Sequence, residues 1–362
     1  MTDGGDTSGS DTSGSHTSGS HTSGSETVLV TGANGEIGHA LIEELSRRGS
    51  TAIVAVDLQP LEPRLAALCA ETHTRSILDP DLLSELTRRP FSAVYHLAAL
   101  LSTSGEKNPA LAHEVNVNGT ERLLRMAHEI GRRERRSVRF LFPSTIAVYG
   151  LASLEAKASA GRVREDEHTQ PTTIYGINKL YCERLGEYYA EHYMRLAEPP
   201  EERWVDFRGL RYPGLISAFT APTGGTSDYA PEMIHAAAAG QPYRCFVRPD
   251  TRIPFMAMPD AIRALLELAD APAARLRRRV YNIGAFAPSA AEIGARVAAQ
   301  FPASSIRYEP HEARQSIVDS WPEDVDDSAA GVDWDWAPKF GFAEAFDDYL
   351  APNIARRYAS SR

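Results

Sequence analysis

Cysteine, lysine and unbroken apolar sequence are all scarce in this chain, and each shortage removes a class of protein. The three cysteines, Cys69, Cys182 and Cys245, are an odd number at wide spacing with no C-x-x-C pair. That excludes a disulfide framework and a cysteine-built zinc site and leaves buried thiols. With no H-E-x-x-H and no cysteine/histidine cluster, no metal is expected. No segment is long and apolar enough to span a bilayer, nor is there the basic start and apolar run of a signal peptide, so a cytoplasmic location is expected. Positive charge is also in deficit. With Lys+Arg 38 against Asp+Glu 48 the formal net charge is −10, which argues against nucleic-acid and anionic-membrane partners. The basic patch Arg132-Arg133-Glu134-Arg135-Arg136 reads as the solvated end of a helix.

The first 25 residues lack apolar side chains altogether after Met1, and the pentad Asp/His-Thr-Ser-Gly-Ser repeats four times between Asp6 and Ser25. Such a segment cannot offset the entropy of ordering, which predicts a disordered tail over residues 1–25 with His16 and His21 solvated. The rest of the 362 residues is long enough for one large α/β domain or two coupled ones.

What the chain does have begins at Glu26. The β-branched run Thr27-Val-Leu-Val-Thr enters Gly32-Ala-Asn34-Gly35-Glu36-Ile37-Gly38, and an amphipathic helical pattern follows to Gly49. Strand, glycine turn and helix come in the order of a pyrophosphate site: the glycines admit the phosphates to the backbone, and the helix start supplies free N–H groups. The next strand ends at Asp57, where a carboxylate accepts from adenosine ribose hydroxyls and repels the extra phosphate of NADP, favouring NAD. A third step is expected at Thr74–Asp79, with a helix from about Pro80 to Arg88, and a fourth strand from Ser92 to Leu97. That strand delivers Leu97, Ala98 and Ala99, small enough at their end to leave room for a cofactor, and then Ser102 and Ser104 at the crevice. A fifth strand, Ser137–Thr145, ends in two hydroxyls. Thr145 suits a substrate alcohol, with Ser144 as runner-up. The alternation predicts an α/β, doubly wound parallel Rossmann sheet.

Tyr175 and Lys179 stand four apart in Thr-Ile-Tyr-Gly-Ile-Asn-Lys. On a helix they share a face, so the ammonium can favour the phenolate of a group whose ordinary pKa of about 10 makes it a poor base at neutral pH. Only Lys107, Lys157, Lys179 and Lys339 occur in the chain, which makes a lysine at this spacing informative.

These features, with the spacing G-x-x-G-x-x-G, resemble the extended short-chain dehydrogenase/reductases. Several longer runs resemble its L-threonine 3-dehydrogenases, relatives of the sugar-nucleotide 4-epimerases: His96-Leu-Ala-Ala-Leu-Leu-Ser-Thr-Ser-Gly-Glu-Lys-Asn, Leu210-Arg-Tyr-Pro-Gly-Leu-Ile-Ser, Gly224-Gly-Thr-Ser-Asp-Tyr-Ala, Pro249-Asp-Thr-Arg-Ile-Pro and Asp319-Ser-Trp-Pro. The resemblance implies that Tyr175 is the acid/base, Lys179 its pKa-lowering and ribose-binding partner and Thr145 the positioning hydroxyl. It further implies Ser102, Ser144, Thr226 and Trp321 on the substrate side. Ser76, Ile77, Asn116, Tyr212, Pro213, Gly214 and Leu215 would join the glycine loop, Asp57 and Leu97–Ala99 around NAD. Ser76 replaces the Asp common in relatives. Residues 26–215 would form the NAD-binding domain and 216–362 mainly a smaller, discontinuous substrate lobe, with a strand near 279–284 returning to the main sheet. Extra residues at Arg132–Arg136, Ser153–Arg164 and Ala197–Glu202 read as surface insertions. The implied reaction oxidises the Cβ hydroxyl of L-threonine to L-2-amino-3-oxobutanoate. The implied assembly is a homodimer through a four-helix bundle of helices 117–130 and 178–194, which carry Leu123, Met126, Leu180, Leu185 and Tyr189. A sugar-nucleotide epimerase or dehydratase using bound NAD, and a dinucleotide-sensing scaffold without turnover, are the alternatives.

Overall fold

Strands buried on both faces need apolar residues at every position, and Val28, Leu29 and Val30, all 2% exposed or less, satisfy that demand in the first strand. The computed structural model describes residues 26–49, 51–222 and 225–359; the tail expected to be disordered and Gly224 lie outside the described residues. Its strands in chain order are β1 (Glu26–Thr31), β2 (Thr51–Asp57), β3 (Glu71–Thr74), β4 (Ala93–His96), β5 (Val138–Thr145), β6 (Arg162–Val163), β7 (Val205–Tyr212), β8 (Gly214–Ile216), β9 (Tyr243–Cys245), β10 (Phe255–Ala257), β11 (Val280–Asn282), β12 (Ile306–Tyr308) and β13 (Asp324–Val325). Seven form one sheet in the order β11-β7-β5-β4-β1-β2-β3, with every pair parallel. Chain order reverses between β1 and β4, so their carboxyl ends open the crevice where open α/β sheets bind ligands.

Side-chain alternation sorts the core. Val28, Val30, Ile53 and Ala55 pack with Leu41, Ile42 and the helix Met258–Asp270 on one face, while Leu29, Val54 and Val56 pack with Leu123, Leu124 and Met126 on the other. A third cluster, centred on Tyr229, Met233, Phe255, Trp321 and Phe346, fills the region beyond β7. Two short parallel ladders tie that region to the main fold: β10 on β8 and β13 on β6. The returning strand expected near 279–284 is β11, paired with β7.

One local expectation changes and two gain detail. The third strand is Glu71–Thr74, because Ser76 and Asp79 turn the chain instead: Asp79 caps the helix Pro80–Thr87 by accepting from Asp81 and Leu82 N–H. The mostly exposed segment Ser153–Arg164 is ordered rather than a plain loop: it forms the helix Leu154–Ala160 and β6, with Lys157 and Val163 buried. The basic patch is the solvated helix end expected, with Arg132, Arg133 and Arg135 exposed at the close of the helix Gly119–Glu134; Arg133 and Arg136 also donate to the carbonyls of Thr87, Arg89 and Pro90.

The helix Ile174–Glu191 lies along β5 and β7 in steps of one turn. Lys179 Nζ donates to Pro143 O (2.7 Å), and Glu183 accepts from Ser144 Oγ (2.5 Å) and from Arg211 Nε and Nη2 (2.9 and 2.6 Å). Glu183 and Arg211 are 1% and 2% exposed, so each charge depends on the other. Arg211→Met should strip the buried carboxylate of its partner and cost about 3–5 kcal/mol. The double variant Arg211→Met/Glu183→Leu should recover most of that, and urea unfolding of the three proteins measures both.

Candidate active site

The helix Glu36–Arg48 starts at Gly35 with no side-chain cap, so its leading N–H groups are open to an anion. Gly32, at φ 68°, lies against the end of β4: a Cβ there would stand 2.5 Å from Ala98 N. Gly38 has no more room, since its Cβ would meet Ala33 O at 2.5 Å. Asn34 N–H donates to Asp57 Oδ2 (2.9 Å) and Gln59 N–H to Oδ1 (3.0 Å), so the carboxylate at the end of β2 also shapes the glycine turn. Asn34 Oδ1 meets His39 Nε2 at 2.9 Å. An uncapped helix end, close-packed glycines and a carboxylate at the next strand end fit a dinucleotide. Ile37 is half-buried behind the turn. Glu36 is half-buried too; burial raises its pKa, opposed by a hydrogen bond from Thr220, with Asp228 adding to the rise.

Leu97, Ala98 and Ala99 are half-buried beside Gly32. Asn116, in the π-helical turn Glu114–Asn118, is spent on the loop that follows them: its Oδ1 accepts from Leu100 N–H (2.8 Å) and its Nδ2 donates to Leu100 O (3.0 Å). Thr120 Oγ1 donates to Asn116 O (2.5 Å), so it accepts from His96 Nε2–H (2.9 Å), and His96 Nδ1 must accept from Thr31 Oγ1 (2.8 Å). One direction satisfies the whole chain and leaves His96 neutral. Burial agrees, holding His96 down at about 3.

Thr145 ends β5 and caps the short turn Ile146–Val148. Tyr175 lies in the first turn of the helix Ile174–Glu191, capped by Thr173. The two meet because Gly176 lacks a Cβ, which would stand 2.0 Å from Ala147 O. Thr145, beside the phenol, lowers its pKa, yet burial outweighs this and pushes Tyr175 up. Lys179 does not offset the rise as its i, i+4 spacing suggested. Its ammonium is turned to Pro143 O and the Phe142 face (4.4 Å), 5.9 Å from the Tyr175 ring centre, and burial lowers it to about 8.

Ser102 Oγ and Thr226 Oγ1 meet at 2.9 Å, both buried, and Glu106 of the Ser102–Lys107 helix accepts from Ile174 N–H (2.8 Å), next to Tyr175. Trp321 is buried in the cluster that also packs Tyr175. Other assignments move. Ser144 cannot stand in for Thr145, because strand alternation turns its hydroxyl to Glu183. Tyr212 points into the core and donates to Ala261 O (2.7 Å), although Pro213, Gly214 and Leu215 continue past the end of β7. Ile77 is buried in the core, and Ser76 Oγ accepts from Leu78 N–H (3.1 Å). Glu183 and Arg211 went unremarked in the sequence, although Glu183 continues the Tyr175, Lys179 stripe by one more turn.

Asp57→Ala removes both the carboxylate at the end of β2 and its hold on Asn34. The variant should lose NAD affinity by roughly tenfold, with a smaller preference for NAD over NADP. Equilibrium titration with the two dinucleotides separates these effects.

The NAD dependent epimerase/dehydratase family matches residues 28–284. The mitochondrial L-threonine 3-dehydrogenase of Bos taurus is 36% identical over 321 residues, 88% of this chain and 80% of the bovine protein. Among solved structures, the holo form of the GalE-like L-threonine dehydrogenase from Cupriavidus necator is 37% identical, with a TM-score of 0.79 over 90% of this chain and 99% of its own. A monomeric L-threonine 3-dehydrogenase from a metagenome is 36% identical, with a TM-score of 0.80 over 91% and 99%. Sequence, sheet order and glycine turn converge, and the chain belongs to the NAD dependent epimerase/dehydratase family.

Proposed function

We propose that this protein is an NAD-dependent oxidoreductase that oxidises the Cβ hydroxyl of L-threonine to L-2-amino-3-oxobutanoate. The observation that carries the reading is the Tyr175 phenol beside Thr145 at the carboxyl end of β5, in a chain 36% identical to an L-threonine 3-dehydrogenase. Gly32, Gly35, Gly38, the helix end behind them and Asp57 would hold NAD, which when bound accepts the hydrogen leaving Cβ with its electron pair. Thr145 fixes the substrate oxygen and Tyr175 takes its proton. Lys179 holds a positive charge beside that step. Ser102 and Thr226 offer hydroxyls to a zwitterion whose charged ends need polar partners. Trp321 closes the apolar side of the pocket. Residues 216–362, apart from β11, serve as the substrate lobe, in a cytoplasmic enzyme whose unpaired thiols suit a reducing compartment.

Removing the phenolic oxygen in Tyr175→Phe should lower kcat by roughly 10²–10⁴ while NAD binding survives. Because burial raises the Tyr175 pKa, its base form grows as pH climbs, and kcat for oxidation should rise on the alkaline side of neutrality. Full turnover of the Phe variant, or a flat pH profile in the parent, argues against the assignment. Release of NADH on adding L-threonine but not a nucleotide sugar separates this reading from an epimerase.

The assembly we favour is a homodimer through the helices Gly119–Glu134 and Ile174–Glu191. Leu123, Met126 and Tyr189 are buried against their own sheet, so the support comes from Ile177, Tyr181 and Tyr188, which stand exposed along one stripe of the second helix. Light scattering at micromolar concentration should give the mass of two chains; the single-chain mass would leave that stripe to solvent, in the manner of the monomeric relative.

A further inference from the structure

Of the four lysines only Lys157 and Lys179 are buried. Lys157 sits in the helix Leu154–Ala160 and donates from Nζ to Val318 O (3.0 Å). Val318 is the last residue but one of the helix Glu312–Asp319, where the negative dipole end favours a cation, and the same Val318 O also accepts from Trp321 N–H (3.2 Å). Two residues beyond that helix stands Trp321. Neighbouring contacts grip the same corner: Arg248 pairs with Asp319 through two bonds (2.8 and 2.9 Å), Leu151 N–H donates to Ser320 O (2.8 Å), and Thr172 Oγ1 meets Ser320 Oγ (3.1 Å). At the other end of the helix Arg314 Nη2 donates to Gly225 O (2.5 Å), next to Thr226. One short helix therefore carries both substrate-side contacts of the lobe, and Lys157 supplies a charged anchor for it from the stretch leading into the catalytic helix. An open depression of about 520 Å³ lined by Ser153, Leu154, Thr172, Ser316 and Asp319 runs between the two helices.

We propose that Lys157 is a positioning residue for the amino-acid substrate, fixing the helix Glu312–Asp319 so that Trp321 and Thr226 stand at a set distance from Tyr175. The inference rests on the L-threonine reading above. A role in packing alone is the weaker account, because burying an ammonium is costly where an apolar side chain of similar length would fill the same space. The cost is visible in the group itself: burial lowers its pKa to about 8, opposed by Asp319 and Glu323.

The test compares the full-length parent with Lys157→Met, Lys157→Gln and Lys157→Arg. Removing a charged hydrogen bond to the helix end should raise KM for L-threonine about tenfold in Met and Gln, with kcat within about twofold and KM for NAD unmoved, and Arg should restore most of it. Independently of turnover, acrylamide should quench Trp321 fluorescence more strongly in these variants, read as the difference from matched Trp321→Phe proteins. Unchanged KM and quenching in both Met and Gln would overturn the proposal, as would a loss of thermal stability shared equally by all three substitutions with kcat and KM moving together. Should Lys157→Met fail to fold, Lys157→Gln decides. A parent that releases no NADH with L-threonine would sink the functional reading instead, and the quenching comparison would still judge the anchor.

Discussion

Glu183 and Arg211 place two opposite charges where water does not reach, and much of the site is arranged around satisfying them. The carboxylate takes Ser144 Oγ as well as the guanidinium, which turns β5 so that the next residue, Thr145, presents its hydroxyl on the other side. Arg211 spends its remaining donor on Tyr149 OH (2.9 Å) and Glu165 O (2.7 Å). Tyr149 OH donates to Asn282 Oδ1 (2.6 Å), and Asn282 Nδ2 reaches Val163 O (3.0 Å). A buried pair of this kind adds little net stability compared with apolar residues, but every wrong register leaves a charge unpaired. The spacing among catalytic helix, central strand and β6 is thereby set electrostatically rather than by packing alone.

The nucleotide half was legible in sequence because each of its signals is local: a β-branched run, glycines at fixed offsets, an acidic strand end. Strand boundaries were lost where a turn is made by side-chain caps, as at Ser76 and Asp79. Residues named from their place in a motif fared unevenly for a physical reason. A motif fixes where the backbone passes, whereas strand alternation and partners decide which side chains see the crevice: alternation turned Ser144 to Glu183, and Ala261 O holds the Tyr212 hydroxyl in the core. Glu183, Arg211 and Lys157 depend on partners 28 residues away in the first two cases and 161 in the third, and no local pattern carries such a distance. Arg211, a second arginine after Arg208 in the strand Val205–Tyr212, was the visible hint.

Desolvation acts on both members of the Tyr175 and Lys179 pair, raising the phenol and lowering the ammonium. Both shifts favour the neutral forms. A sequence argument sees only the attraction between opposite charges and so misses that burial opposes charging either one. Gly176 contributes as well, because the absence of its side chain lets the first turn of the helix close on Ala147 O, beside Thr145.

The two short ladders have a mechanical consequence. β6 lies before the catalytic helix in the chain and its partner β13 lies near the end, while β8 leaves the central sheet directly and pairs with β10. A rigid rotation of the lobe about a hinge would have to shear both ladders at once and pull Asn282 from Asp326 O. The stretches 217–222 and 225–228 belong to neither ladder, so they are where the backbone around Thr226 can shift without breaking strand pairing.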